Sequence, residues 1–156
     1  MVAVTPKAEG HVGLGPLASR YVDVAGLPWQ QTRFPGIEVK VLLEEKETGL
    51  LTTLLRMAPG ARLPDHEHVK IEQTYVLEGR LVDDEGSCEA GQFVWRPAGS
   101  RHEAHAPEGG LMRRNCGRST SCSKAVVKLK KWNGSAFPAR SVTPLETVTW
   151  WLRLTA

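Results

Sequence analysis

Three histidines and one glutamate between Gly60 and His102 are the residues of this chain best suited to chemistry. His66 and His68 are separated by one residue, Glu72 follows four residues later, and His102 lies in a second glycine-containing stretch. Residues at even spacing in an extended segment project to one face, so His66, His68 and Glu72 can share a face of one strand. Imidazoles and a carboxylate are ligands for divalent metals. The spacing therefore predicts a metal site built on a β-sheet.

The ligand types leave the identity of the metal open among Fe(II), Mn(II), Ni(II), Cu(II) and Zn(II). An octahedral ion held by three histidines and one glutamate would keep two adjacent positions for substrate and for oxygen or water. A tetrahedral zinc with the same four ligands would be closed. The coordination number therefore separates an enzyme from a structural site.

Two neighbouring features are assigned other roles. His105 follows His102 by three residues, which is the wrong parity to join it on a regular strand, so we expect His105 at the surface or behind a ligand. The acidic segment Asp83–Gly86 does not have the spacing of a calcium loop, and its residues favour a tight turn between two strands.

Short apolar and β-branched segments are expected to form the strands that position these residues. They are Tyr21–Val24, Ile37–Leu43, Leu50–Met57, Ile71–Leu77 and Phe93–Trp95. Turn signals such as Pro35-Gly36 and Pro59-Gly60 separate them. Apolar residues rarely recur with helical spacing, so no amphipathic helix competes with this assignment. Many short strands with regular turns predict an all-β sandwich or barrel.

The length of 156 residues fits one domain with a hydrophobic core. Residues 1–19 are rich in Gly, Pro and Ala without periodicity and are predicted to form a flexible N-terminal arm. Residues 20–112 are assigned to the core of the domain. Residues 113–156 form an atypical basic C-terminal segment that can supply late strands.

The composition changes abruptly after Met112. Residues 113–131 contain seven Lys or Arg residues and no Asp or Glu, and the first eleven contain no apolar residue except cysteine. A barrel needs a closing strand soon after His102 with apolar inward positions, and we predict that this segment does not provide it. Closure is then expected from Ala125–Leu129 or Thr147–Leu154. A shifted reading frame is a second explanation for the change.

The cysteines and the net charge limit the expected cellular location and binding partners of the protein. Three cysteines, an odd number without a CxxC pair, fit a reducing compartment, so we expect a cytoplasmic protein. The net charge of +3 is interpreted as a solvated surface, because aromatic residues are not interleaved with basic ones as in nucleic-acid-binding modules. We expect neither a targeting segment nor a membrane span. The predicted partner is a small-molecule substrate.

The glycine and proline residues around the histidines complete a recognisable pattern. It reads Gly-x5-His-x-His-x3-Glu-x6-Gly and then Gly-x5-Pro-x-Gly-x2-His, with Gly60, His66, His68, Glu72, Gly79, Gly91, Pro97, Gly99 and His102 at the nine defined positions. This resembles the two signature motifs of the cupin superfamily. The resemblance implies a small jelly-roll barrel, a double-stranded β-helix, with its histidines gathered inside. The second family motif usually ends in an asparagine, where this chain has Ala106.

The wider sequence from Tyr21 to Met112 is similar to single-domain cupins related to the cupin half of the anti-sigma factor ChrR and to dihydroxyacetophenone dioxygenases. This resemblance implies a bound first-row metal and frequent dimerisation, so we expect a homodimer. The anti-sigma relatives carry a zinc-binding helical domain with a histidine and paired cysteines. The first 20 residues here hold one histidine and no cysteine, so a sigma-binding regulator is not expected.

The resemblance leads to a metal-dependent dioxygenase that cleaves a C–C bond of a small diketone or hydroxyaryl ketone. Fe(II) is the favoured metal, and Zn, Mn, Ni or Cu are the alternatives. The metal set is His66, His68, Glu72 and His102, and Glu72 is either a ligand or the catalytic base. A non-catalytic metal- or ligand-binding cupin, acting as a sensor or storage module, is the second hypothesis. A sugar-phosphate isomerase or epimerase is the third, and its phosphate contacts would come from arginines expected at the surface: Arg56, Arg62, Arg96 and Arg101.

Overall fold

The computed structural model describes residues 3–117, which form nine strands and no helix. The strands are β1 Gln30–Gln31, β2 Ile37–Glu45, β3 Leu50–Met57, β4 Ala61–Glu67, β5 Glu72–Asp83, β6 Gly86–Glu89, β7 Phe93–Arg96, β8 Arg101–Ala106 and β9 Gly110–Gly117. The prediction of an all-β chain is confirmed. In this part of the chain there is accordingly no helix that could cross a membrane.

Every strand pairing is antiparallel, and the strands follow the order β1-β2-β3-β9-β5-β8-β4. Strand β5 connects the two sides of the curled sheet. Its first half pairs with β7 and β9, and its second half pairs with β6 and contacts β8. A twelve-residue strand that changes partners along its length bends the sheet around a common interior, as in the predicted jelly roll.

The interior is filled by the apolar residues of alternating strand positions. The largest fully buried apolar side chains are Ile37 on β2, Val76 on β5 and Met112 on β9, each at most 1% exposed. These three residues belong to one apolar cluster with Leu55, Met57, Leu81, Cys88, Ala104 and Ala106. Members of the cluster share the inner faces of β5, β8 and β9 with the buried polar residues Glu72, His102 and Arg114.

Strand β9 corrects the prediction that the segment after Met112 cannot form a strand. It runs from Gly110 to Gly117, lies between β3 and β5, and pairs with both. Met112, Arg114 and Cys116 are buried on its inner face, whereas Arg113 is exposed. The prediction was wrong because it required apolar inward residues, and Arg114 instead meets a buried carboxylate, Glu72.

The predicted core boundary at Met112 therefore falls inside a strand, and a shifted reading frame is not required to explain residues 113–117. The predicted late strands Ala125–Leu129 and Thr147–Leu154 lie outside the described residues.

Residues that precede β1 lie along the outer side of β2. Val4 forms an isolated bridge with Glu44, and the Thr5 hydroxyl donates to the Leu42 carbonyl at 2.6 Å. Farther on, the buried Lys40 ammonium donates to the Val24 carbonyl at 2.8 Å. These contacts anchor two points of the N-terminal region, and the flexibility of residues 1–19 stays a prediction.

Gly79 is the glycine whose lack of a side chain matters most to the fold. Its φ is +73°, and an added Cβ would overlap the Gly109 carbonyl oxygen and lie 2.8 Å from the Gly110 Cα. Gly91 has a similar φ of +84° but nothing within 4 Å of the same position. The two glycines share the conformational demand and differ in the space available.

We expect Gly79→Ala to lower the free energy of unfolding by about 3 kcal/mol or more, because strain at positive φ adds to a backbone overlap. Gly91→Ala, the matched control, should cost about 1 kcal/mol from the conformation alone. Urea unfolding of both variants measures the difference. Equal losses would show that the close approach of Gly79 to Gly109 is unimportant.

Candidate metal centre

A β-bulge places the first histidine on the inner face of the sheet. Leu63 on β4 pairs with Ala104 on β8, and His66 pairs with His102, so three steps along β4 match two along β8. One extra residue in a strand reverses the face to which later side chains point. His66 therefore points inward like Leu63, although it lies three positions further along the strand, and it is directly opposite His102.

The second histidine follows β4 and is held by the turn of the second motif. The His68 amide donates to the Ser100 carbonyl at 2.9 Å, and the Gly99 amide donates to the His68 carbonyl at 2.7 Å. The chain then bends at residues 69–70, and β5 begins at Glu72. The prediction that His66, His68 and Glu72 share one extended strand is therefore wrong, because this bend divides them between two strands and a loop.

The three histidines meet in a tight triangle. Their ring centroids are 4.6 Å apart for His66 and His102, 4.9 Å for His66 and His68, and 5.0 Å for His68 and His102. One nitrogen of each ring lies within 4.8 Å of the other two. Three imidazole nitrogens bonded to one ion at about 2.1 Å lie about 3 to 3.5 Å apart, so small rotations of these rings would let them share one ion.

The acceptor atoms that face the rings also favour metal binding. The Nδ1 atoms lie 2.9 Å from the Pro64 carbonyl for His66, 3.1 Å from Asp83 Oδ2 for His102 and 3.6 Å from Glu72 Oε2 for His68. A neutral ring whose Nδ1–H faces an acceptor carries its lone pair on Nε2. All three Nε2 atoms are buried without a hydrogen-bond partner among the described residues. Metal-binding histidines have this arrangement, so the donor set fits a divalent metal.

Burial keeps these imidazoles neutral. It lowers the pKa of His66 and of His102, and the charge of Arg96 acts in the same direction on His102. For His68 burial lowers the pKa to about 4. Metal binding requires unprotonated imidazole, so no proton has to leave His68 when an ion binds near neutral pH.

Glu72 lies beside the triangle rather than within it. Its carboxylate is 3.3 Å from Arg114 Nη1 and 3.6 Å from Arg96 Nη1, and the Thr74 hydroxyl donates to it at 3.4 Å. Burial alone raises the pKa of Glu72, but Arg114, His68 and Arg96 outweigh it and hold this pKa below its usual value. Glu72 is an ionised group beside the His68 ring, and its role as a ligand stays a prediction.

Asp83 is the site residue that the sequence assigned only to a turn. Its Oδ1 accepts the Glu85 and Gly86 amides at 3.0 Å each, which confirms the turn. Its Oδ2 accepts from the Arg96 guanidinium and lies beside His102. A bulge in β5 between Val76 and Glu78 reverses the strand parity and turns Asp83 inward, so no regular alternation could have identified it.

Three of the four arginines considered for a phosphate site lie at the surface. Arg56, Arg62 and Arg101 are exposed and pair with Glu38, Glu103 and Asp65 respectively. Arg96 is 5% exposed, so the expectation that it is a surface residue is wrong. Its inward position on β7 brings it to the Asp83 carboxylate.

His105 lies on the face of β8 opposite His102. The alternation along β8 buries His102, Ala104 and Ala106 and leaves His105 partly exposed. Arg62 is its pairing partner on β4. The prediction that His105 does not join His102 is therefore confirmed.

Residues 17–116 match the family described as the ChrR cupin-like domain. None of the curated proteins matches the chain.

Several solved structures share the fold. A proposed acetylacetone dioxygenase from Methylibium petroleiphilum is 19% identical with a TM-score of 0.61, over 66% of this chain and 79% of the other. The acetylacetone dioxygenase from Acinetobacter johnsonii is 16% identical with a TM-score of 0.59, over 69% and 80%. A chain of the Rhodobacter sphaeroides complex of SigE with the anti-sigma ChrR is 23% identical with a TM-score of 0.52, over 60% and 50%. These similarities show a common fold.

The lowered pKa of His68 predicts an acid-sensitive metal-free protein. The folded pKa of about 4 lies below the ordinary 6.5, so the stability from this residue is complete above pH 6.5 and is lost as the pH falls towards 4. Between pH 7 and pH 5 we expect His68 to account for a loss of about 2 kcal/mol in the free energy of unfolding. Urea unfolding of the chelator-treated wild type and of His68→Gln at both pH values tests this. The variant should lose less unfolding free energy between pH 7 and pH 5, because it lacks the contribution of His68. His105→Gln should keep the wild-type pH dependence, and an unchanged slope in His68→Gln would contradict the assignment.

Asp83→Asn is expected to weaken metal binding by about 10- to 100-fold, because His102 loses a charged acceptor for its Nδ1–H. The neighbouring exposed turn residue provides a matched control, Asp84→Asn, which should bind metal like the wild type. Competition with a chromophoric chelator measures both affinities for Zn(II) and Fe(II). Equal affinities of the two variants would remove Asp83 from the metal site.

Proposed function

The chain belongs to the ChrR cupin-like domain family, and from this premise we propose that it is a metal-dependent dioxygenase acting on a small diketone or hydroxyaryl ketone. The observation that carries the proposal is the set of three buried Nε2 atoms without hydrogen-bond partners, on His66, His68 and His102. They would hold the metal. The two acetylacetone dioxygenase structures with the same fold support the choice of substrate class.

Three protein ligands would leave coordination positions for a chelating substrate. Glu72 is not part of the group whose ligand atoms come together, so the closed four-ligand site of a structural zinc has less support than an open one. Fe(II) is the favoured ion, with Zn, Mn, Ni and Cu as alternatives. When bound, it would supply Lewis acidity for the substrate oxygens and redox chemistry towards dioxygen.

We assign Glu72 as the base that accepts the proton lost by the substrate. It is 3% exposed and ionised, and it lies next to the His68 ring. Because Arg114 and Arg96 lower its pKa, Glu72 is a weak base. A 1,3-diketone suits such a base, because the CH2 group between its two carbonyls is an unusually acidic carbon acid. A weak base at this position is therefore compatible with the proposed substrate class.

Arg96 and Arg114 keep Glu72 anionic before the substrate arrives, and Asp83 orients the ring of His102. The apolar cluster, whose members Val76 and Met112 share strand faces with Glu72 and Arg114, would help to exclude water from the site. The chain's own residues would therefore provide a proton acceptor, oriented imidazoles and apolar surroundings.

A non-catalytic metal-binding cupin is the second candidate, and the fold shared with the ChrR chain favours it. It differs from the first in the expected fourth ligand, because Glu72 would have to leave Arg114 and complete a closed zinc site. Homodimerisation and a cytoplasmic location stay predictions for either function.

We expect the Fe(II)-loaded protein to consume dioxygen with 2,4-pentanedione, measured with an oxygen electrode together with quantification of the cleavage products. His102→Ala should lower this rate at least about 100-fold, because one of three metal ligands is lost. His105→Ala changes a histidine on the outer face of the same strand and should retain the wild-type rate.

Metal analysis of protein purified without added metal separates the two candidates. Bound iron with oxygen uptake supports the dioxygenase. Saturated zinc without exchangeable water, or bound iron without uptake across a panel of diketones and hydroxyaryl ketones, would refute it and favour the binding module.

A further inference from the structure

Both carboxylate oxygens of Glu72 face polar side chains from the surrounding sheet. Oε2 lies 3.3 Å from Arg114 Nη1. Oε1 lies 3.6 Å from Arg96 Nη1 and accepts from the Thr74 hydroxyl at 3.4 Å. Glu72 is 3% exposed, so little water is available to replace these contacts. A buried carboxylate separates from a guanidinium only at a high cost, so these contacts restrain the side chain.

The strand pairing places one guanidinium on each side of this carboxylate. At its start, β5 lies between β7 and β9. Arg96 on β7 is the direct pairing partner of Glu72, and Arg114 on β9 is the partner of Thr74, two residues further along the same face of β5. Arg96 is 5% exposed and Arg114 is 8% exposed. The two cations are therefore built into the sheet beside Glu72.

The position of Glu72 relative to His68 separates the carboxylate from the nitrogen that would bind a metal. Glu72 Oε2 lies 3.6 Å from Nδ1 of that ring, whereas Nε2 is the buried nitrogen without a hydrogen-bond partner among the described residues. The group of ligand atoms within 4.8 Å of one another comprises His66, His68 and His102, without Glu72. To bind the same ion as the histidines, Glu72 would have to leave Arg114.

The net charge of the occupied site depends on whether Glu72 is a ligand. Three neutral imidazoles leave the full charge of a divalent ion, whereas a carboxylate ligand would cancel half of it. A more positive centre binds an anionic chelating substrate, such as the enolate of a diketone, more strongly. A residue that controls the position of Glu72 therefore controls both the open positions and the charge of the site.

We propose that Arg114 is a positioning residue that holds Glu72 away from the metal, so that three histidines remain the only protein ligands. This inference rests on the metal site of the proposed function and not on its chemistry with dioxygen. Arg96 contacts the same carboxylate, but it also binds Asp83 beside His102. Replacement of Arg114 is therefore the more direct test.

The test uses the full chain loaded with Co(II), whose visible absorption spectrum depends on the number and type of its ligands. In Arg114→Met the carboxylate loses its nearest cation, and we expect Glu72 to become a ligand. The spectrum should then change, and the affinity for Zn(II), measured by competition with a chromophoric chelator, should rise at least about 10-fold. Arg113→Met, at the exposed neighbouring position of β9, is the matched control and should behave like the wild type.

Two further variants distinguish metal binding by Glu72 from the mere loss of a positive charge. Arg114→Met combined with Glu72→Gln removes both charges and should restore the wild-type spectrum and Zn(II) affinity, because no carboxylate is left to bind. Glu72→Gln alone should leave the spectrum unchanged, because Glu72 is not a ligand while Arg114 is present.

The proposal is overturned if Co(II) does not bind, if Glu72→Gln alone changes the spectrum, if Arg114→Met does not change it, or if the double variant keeps the change. If Arg114→Met does not fold, the spectrum of Glu72→Gln alone decides the question. Oxygen uptake by the iron-loaded wild type, together with an unchanged spectrum of Arg114→Met, would retain the dioxygenase and remove this role of Arg114. The expected spectra without oxygen uptake would refute the dioxygenase and support the role of Arg114.

Discussion

The buried charges around the histidines are the constraint on which the rest of this structure depends. Two carboxylates, Glu72 and Asp83, and two guanidiniums, Arg96 and Arg114, lie within the sheet and are joined by ion pairs. A single buried charge without its partner would be strongly destabilising, and the four charges together cancel. The carboxylates also face the Nδ1 atoms of His68 and His102. The set that stabilises the interior thus also determines which imidazole nitrogens are available to a metal.

This arrangement explains why strands distant in sequence must meet. Glu72 and Asp83 lie at the two ends of β5, Arg96 ends β7, and Arg114 lies in β9. β5 must therefore bend between both sides of the sheet, and β9 must insert beside it. The apolar cluster supplies most of the driving force for collapse, and the charges select the register in which collapse leaves none of them unpaired.

The fold class, the family and the histidine triangle could be predicted because they depend on local spacing. Glycines, a proline and histidines at fixed intervals specify turns and strands that need no knowledge of distant partners. The inward positions of Asp83, Arg96 and Arg114 were missed because each depends on a bulge or on a partner in a remote strand. A run such as RRNCG looks unsuited to a core until Glu72 is known to lie opposite Arg114. Sequence periodicity thus predicts which apolar residues are buried, but it does not predict the burial of charged residues that pair with each other.

The bulge in β4 has a consequence for how such a chain can evolve. His66 faces inward only because one extra residue lies between it and Leu63. Substitutions at Pro64 or Asp65 leave that count intact, whereas deletion of either residue would turn His66 towards the outer face while β4 kept its hydrogen bonds. A variant of this kind would keep the barrel and lose one corner of the triangle. The number of residues between Leu63 and His66 therefore matters to the metal site as much as the histidine itself. Deletion of a single codon in β4 is a direct evolutionary route from a metal-binding barrel to a metal-free one.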